Sequence, residues 1–197
     1  MTASSKCSSE VQCLYFKEAG KKNTTAVLEA VARRAEELSI QKILIASCSG
    51  KTAFEALKIL GDRIKIIAIT HVTGFMESNV QELSDSNRKK LEAAGVTVFT
   101  GQHAFGGVGR GVRRKLATYQ VDEIMAFTLR LFGQGVKVAI EISLMAADAG
   151  LIRTDEDVIT VGGTAEGADA ALVLKPANSS KIFDMKVRQV ICKPFQF

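Results

Sequence analysis

Two hydrophobic rhythms alternate along the first half of the chain. Val27, Val31, Ala35 and Leu38 recur at helical spacing, with Arg33, Arg34, Glu36 and Glu37 on the other side. That pattern predicts a helix through TTAVLEAVARRAEELS, opened by Asn23 as N-cap. KILIAS, 42–47, is then apolar on both faces and rich in β-branched residues, as a central parallel strand is. Ala53, Phe54, Ala56, Leu57 and Leu60 return to helical spacing until Gly61, and IKIIAITH, 64–71, reads as a second buried strand. Ser84 or Asp85 can cap a third helix through NRKKLEAAG, ending at Gly95, and VTVFTG follows as a third strand. This alternation predicts an α/β domain with a mostly parallel sheet.

The second half is less regular. Val112, Leu116 and Tyr119 are helically spaced, and the apolar stretch 121–132 predicts a helix stopped by Gly133. That helix has few polar positions and is expected to bury one face against a second copy of the chain. VKVAIEI, 136–142, reads as a strand running into a short helix, SLMAADAG. VITVGG (158–163), AALVLKP (170–176) and RQVICKP (188–194) read as further strands. No repeat or long linker interrupts the pattern, so residues 15–197 are expected to form one domain behind a polar tail, 1–14.

Composition narrows the picture. With 47% apolar residues the chain can fill a core, and none of its apolar runs reaches the roughly 18–20 residues that span a bilayer. The start has no apolar h-region, so a cytoplasmic protein is expected. The four cysteines form no CxxC pair and no spacing-based metal cluster with His71 and His103, which predicts free thiols and no metal. A net charge of +5 admits anionic partners, nucleic acid among them. Its densest cluster, Arg110, Arg113, Arg114 and Lys115, reads more simply as a solvated helix face, without the interleaved aromatics of an RNA-binding motif.

Ligands of open α/β sheets sit at the carboxyl ends of the strands. After the first of these strands comes SCSGKT: Ser47, Cys48, Ser49, Gly50, Lys51 and Thr52. A glycine beside a helix N-terminus, two hydroxyls and a lysine suit a phosphate. The alternative is structural, with Ser49 only capping the helix and Gly50 only turning the chain. The stretch ends like a Walker A loop, but that loop needs a glycine five positions before Gly50, where Ile45 stands. Cys48 has either a lowered pKa, from the helix end and Lys51, or the character of an ordinary buried thiol. His71, Thr73, Gly74 and Phe75 follow the second strand, and Gln102, His103 and Phe105 the third. Either histidine can be an acid–base group or a structural donor. No Ser-His-Asp order and no Cys-His pair is legible, so no catalytic residue is assigned.

The stretch KILIASCSGKTAFEALKI…IKIIAIT resembles the start of the C-terminal domain of pyruvate kinase, with Ser49, Gly50, Lys51, Thr52 and Ala53 matching its Ser-Gly-basic-Ser/Thr-Ala loop. GKKNT, LFGQGVKVAIEISLMAADAGLI, VGGTAEGADAALVLKPA and FDMKVRQVICKP extend a resemblance to stand-alone pyruvate kinase α/β-domain-like proteins from about residue 15 to the end. The resemblance implies a three-layer α/β/α sandwich with a mixed, mostly parallel sheet. It implies no pyruvate kinase activity, because that active site lies mainly in a (β/α)₈ barrel absent from this pattern. It also implies bound flavin mononucleotide (FMN), its phosphate on Ser47, Ser49, Gly50, Lys51 and Thr52. Asn23, Thr24, Thr73, Gly74 and Glu141 are then expected along the ribityl chain, and Phe75, Met145, Gly162 and Gly163 around the ring. Two alternatives stand beside that expectation: a non-catalytic sensor of a phosphorylated metabolite, and a nucleic-acid-binding protein using Arg110, Arg113 and Arg114.

Overall fold

The strands are β1 (Leu14–Glu18), β2 (Lys42–Ala46), β3 (Lys65–Thr70), β4 (Thr97–Thr100), β5 (Val158–Gly162), β6 (Ala170–Lys175) and β7 (Lys186–Gln196) in a computed structural model that describes residues 8–197. Between them lie α1 (Thr24–Leu38), α2 (Lys51–Leu60), α3 (Asp85–Ala93), α4 (Val108–Leu116), α5 (Val121–Arg130) and α6 (Gln134–Asp148). The sheet order is β1-β7-β6-β5-β2-β3-β4. Only β6 runs against its neighbours, and all other pairings are parallel.

Period-two alternation in the strands builds two cores. Ile43, Ile45, Ile66, Ala68, Ile159 and Val161 pack with α1, α2 and Leu91 of α3. Leu44, Ile67, Ile69, Val158 and Leu172 point the other way, onto α5 and α6. The chain is therefore a three-layer α/β/α sandwich. Because β2 is buried on both faces, its apolar run has no polar alternation. Ile43, Leu44 and Ile45 are fully buried, and each contributes about 2 kcal/mol by removal from water.

The expected strand over VKVAIEI is helix. Taken alone the heptapeptide alternates, but no turn residue separates it from SLMAAD, so the segment runs unbroken from Gly133 to Gly150. α6 is wedged between α5 and the sheet, with twelve of its fifteen residues buried. A helix covered on all sides carries apolar residues on all sides, and its period disappears. The remaining helical trace is Lys137 and Glu141, paired at i, i+4. Glu141 is thus mid-helix, not at a strand end.

Two further readings change. Asn23 precedes α1 without capping it, since its Nδ2 donates to the Glu18 carbonyl at 2.8 Å. Thr24 organises that helix start instead, donating to Lys21 O at 2.7 Å and accepting from Ala168 N at 3.0 Å. β1 was not foreseen: it is a mostly exposed edge strand of five residues, with no apolar run to betray it. The expected tail, 1–14, therefore overlaps β1 at Leu14, and its first seven residues lie outside the described ones.

On α5, Val121, Ile124, Phe127 and Leu131 just beyond it stay exposed, so the face expected to meet a second copy is uncovered within the chain. Among the described residues, no helix is long and apolar enough to cross a membrane.

Candidate functional site at the carboxyl edge of the sheet

The parallel strands deliver the loops after β2, β3, β4 and β5 to one edge. In the first, Ser47 is buried; its N–H donates to Ile69 O at 3.0 Å and its Oγ accepts from Ala53 N at 3.2 Å. Ser47, not Ser49, thus satisfies a donor of the first turn of α2. Gly50 has φ +90°, and a Cβ there would sit 3.0 Å from Leu83 Cδ1. Ser49 O accepts from Asn87 Nδ2 at 3.1 Å. The Lys51 and Thr52 N–H groups have no acceptor among the described residues. Those are the groups a helix N-terminus offers an anion. The Lys51 ammonium is exposed and meets Glu166 at 2.9 Å, which also holds Lys21 at 3.1 Å.

At the same edge, between the connections after β3 and β4 and α4, lies an open cavity of about 410 Å³, lined by Val72, Gly74, Phe75, His103 and Arg110 among others. Its wall is an aromatic stack. The His71 ring is 4.0 Å from Phe75, Phe75 lies 4.8 Å from His103 at 8° between planes, and the Arg110 guanidinium sits 4.6 Å over Phe75. His71 Nδ1 is held by Glu82 Oε2 at 2.6 Å. Cys48, from the loop after β2, lies within 4.8 Å of His71 and Glu82 and so reaches the outer end of the stack, while residues 47–52 do not line the cavity itself.

Behind the stack, Glu141 accepts from the Phe105 N–H at 2.9 Å and from Lys137 Nζ, with His103 Nδ1 3.9 Å away. Burial pushes His103 down to about 4; His71, Arg110 and Lys137 push the same way, and Glu141 opposes them. Its Nε2 has no partner among the described residues. A histidine protonating near 4 when folded and near 6.5 when unfolded favours the unfolded chain as pH falls between those values. Its stabilising share is complete above about pH 6.5 and lost toward pH 4. Wild type should lose about 3 kcal/mol more than His103→Gln between pH 7 and pH 4, read by urea unfolding at each pH. Parallel losses in both proteins would remove His103 from the account.

Of the expected ligand residues, the structure brings Gly74 and Phe75 to the cavity, with exposed Thr73 on the same loop, and leaves Ser47 to Thr52 at the same sheet edge but outside the cavity lining. Gly163 begins the loop that carries Glu166 to Lys51. Five expected positions are occupied otherwise. Asn23 is bonded to Glu18, Thr24 is buried between Lys21 O and Ala168 N, Glu141 lies in the ion pair, Met145 of α6 packs in the core, and Gly162 abuts Gly135 backbone. Each was placed by strand-end position, which fails where the strand is a helix or where the loop packs against its neighbour.

Cys48 is half-buried, and its thiol is pushed up to about 11 by burial first and the Glu82 carboxylate second. Desolvation outweighs the helix end. Of the basic cluster, Arg113 pairs with Glu123 at 2.7 Å and Arg110 covers Phe75, leaving Arg114 and Lys115 exposed. Glu82 and Lys137 carry no signal of their own in sequence, because a lone carboxylate or lysine becomes informative only beside its partner.

A solved structure, Cryptosporidium parvum pyruvate kinase in complex with ADP, matches with 18% identity and a TM-score of 0.38, over 76% of this chain and 22% of that one. The chain thus spans less than a quarter of that enzyme's length. The family model for the pyruvate kinase alpha/beta domain matches residues 25–174, from the first turn of α1 into β6 and across the edge that bears the site. The chain belongs to the pyruvate kinase alpha/beta domain family.

Proposed function

We propose that this chain binds a phosphorylated ligand, FMN in the first instance, at the carboxyl edge of its sheet. The observation that supports the reading is the presence of two features at one sheet edge, linked through Cys48 and His71: the N-terminus of α2, whose Lys51 and Thr52 N–H groups have no acceptor among the described residues, and the cavity walled by Phe75, His103 and Arg110. A terminal phosphate fits the first. The second has the volume of an ordinary small-molecule pocket and an apolar wall for a flat ring. The residues present fit the group with one adjustment. Phe75 already carries Arg110 over its face, so a ring stacked there displaces that guanidinium or lies against the edge of the stack. Bound flavin would supply hydride or single-electron transfer.

Cytoplasmic residence belongs to the proposal, since Cys13, Cys48 and Cys192 are free thiols, the form that reducing compartments maintain. The test is an absorption spectrum and mass analysis of the purified protein, followed by thermal scans with added FMN. A yellow protein that releases flavin on denaturation, or a melting point raised by FMN, supports the reading. Lys51→Ala with Thr52→Ala should weaken FMN binding about 10- to 100-fold at unchanged secondary structure, since a charged contact and a hydroxyl are lost. Colourless protein with no response to FMN would sink it. Stabilisation by sugar phosphates alone would make the chain a metabolite sensor, and steeply salt-dependent binding of RNA or DNA would turn attention to Arg114 and Lys115.

A further inference from the structure

A second cluster at the same edge is built from donors distant in sequence. Cys48 lies two residues beyond β2, His71 directly follows β3, and Glu82 stands just before α3. The Cys48 sulfur, a His71 ring nitrogen and a Glu82 carboxylate oxygen lie within 4.8 Å of one another. Among the described residues, no other three such groups meet.

Their positions are not accidents of loose loops. β2 and β3 are adjacent parallel strands, and the Ser47 N–H donates to Ile69 O, so the ladder sets the separation of Cys48 and His71. The 71–84 loop is folded onto its own start: Gln81 Nε2 donates to His71 O at 3.1 Å, and Gln81 Oε1 accepts from Leu83 N at 3.1 Å. Leu83 is buried against Gly50, which anchors the loop on the turn that follows Cys48. His71 and Glu82 are each about 30% exposed, so an ion can reach them.

We propose that Cys48, His71 and Glu82 bind one divalent transition-metal ion of the zinc class. The donor set decides the class. Thiolate, imidazole and carboxylate together suit a borderline-soft ion, whereas magnesium and calcium take oxygen alone. Tetrahedral bonds of about 2.0–2.3 Å set ligand atoms roughly 3.3–3.7 Å apart, so closure from the present spacing needs a movement of about 1 Å. The hydrogen bond between His71 Nδ1 and Glu82 is exchanged for metal bonds. Three protein ligands leave a fourth position for water or for His103. That ring lies 5.2 Å from His71, its side chain is 10% exposed, and its Nε2 has no partner among the described residues. The metal replaces the proton that burial holds on the Cys48 thiol.

This inference does not rest on flavin binding, and its test uses metal alone. The full chain, dialysed against EDTA and then freed of chelator, is titrated with Zn²⁺ against a chromophoric chelator and, separately, with Co²⁺. One equivalent of Zn²⁺ should bind, Co²⁺ should give a thiolate charge-transfer band, and Cys48→Ser should abolish the band and weaken Zn²⁺ binding at least about tenfold. A measurement on wild type guards against a misfolded variant: Zn²⁺ should slow iodoacetamide alkylation of Cys48 at least about tenfold, read on its peptide by mass spectrometry. Absence of Zn²⁺ binding, a Co²⁺ band that survives Cys48→Ser, or alkylation of Cys48 unaffected by Zn²⁺ would each overturn the site.

Discussion

Replacing Glu141 by alanine should lower the unfolding free energy by about 3–5 kcal/mol, because it strands a buried cation. Glu141 and Lys137 are both about 4% exposed in side chain and lie one helical turn apart on α6. Burial disfavours the charged form of Lys137, and Glu141 offsets it. Removing the carboxylate also leaves the Phe105 N–H without its acceptor. Against a total stability of ordinarily about 5–15 kcal/mol, such a loss brings the domain near unfolding at room temperature. The double change Lys137→Met with Glu141→Leu should recover most of it, since both charges leave and the volume is refilled. Equilibrium urea unfolding of the three variants checks the argument. A loss below about 1 kcal/mol in Glu141→Ala would mean that water or a shifted Lys137 relieves the charge.

Gly162→Ala is expected to cost about 3 kcal/mol for an unrelated reason, steric overlap of backbone with backbone. Gly162 ends β5, and a Cβ there would overlap the Gly135 carbonyl oxygen and come 2.8 Å from Ala139 N, both in α6. Neither atom is the flexible end of a side chain. Accommodation therefore means lifting α6 from β5, two elements in close contact. Gly111→Ala is the control: it lies inside α4 with nothing within 4 Å of its Cβ position. That exchange should stabilise by about 0.5–1 kcal/mol, from helix propensity and reduced freedom of the unfolded chain. Opposite signs for one chemical change would locate the effect in the β5–α6 contact. Equal signs would refute that placement.

Legibility followed how many neighbours an element needs in order to be defined. α1, α2, β2 and β3 were readable from single windows, because their periodicity reports one buried face or two buried faces directly. α6 was not, since burial on all sides erased its period and left an alternating heptapeptide that mimics a strand. β1 escaped for the opposite reason, having almost nothing buried. The same division runs through the site. SCSGKT could be read as a turn into a helix N-terminus, and its Gly50 does take the left-handed conformation at the head of α2. The cavity wall could not be read, because His71 and Phe75 come from the connection after β3, His103 from the one after β4 and Arg110 from α4, and these meet only when β3 and β4 pair.

The sequence by itself determined the strand-helix alternation, and through it a parallel sheet whose carboxyl edge must collect the polar loops. It also determined the glycine-lysine turn at the head of α2. Those properties depend on residues within about ten positions of one another, where spacing is enough. The tertiary structure alone decided which groups share an environment. It joined Cys48 to His71 and Glu82, hid Lys137 and Glu141 from water, and took Asn23, Met145 and Gly162 into packing. Proximity and desolvation act between side chains that the chain brings together from far apart, and they set ionisation and ligand chemistry more strongly than residue type does.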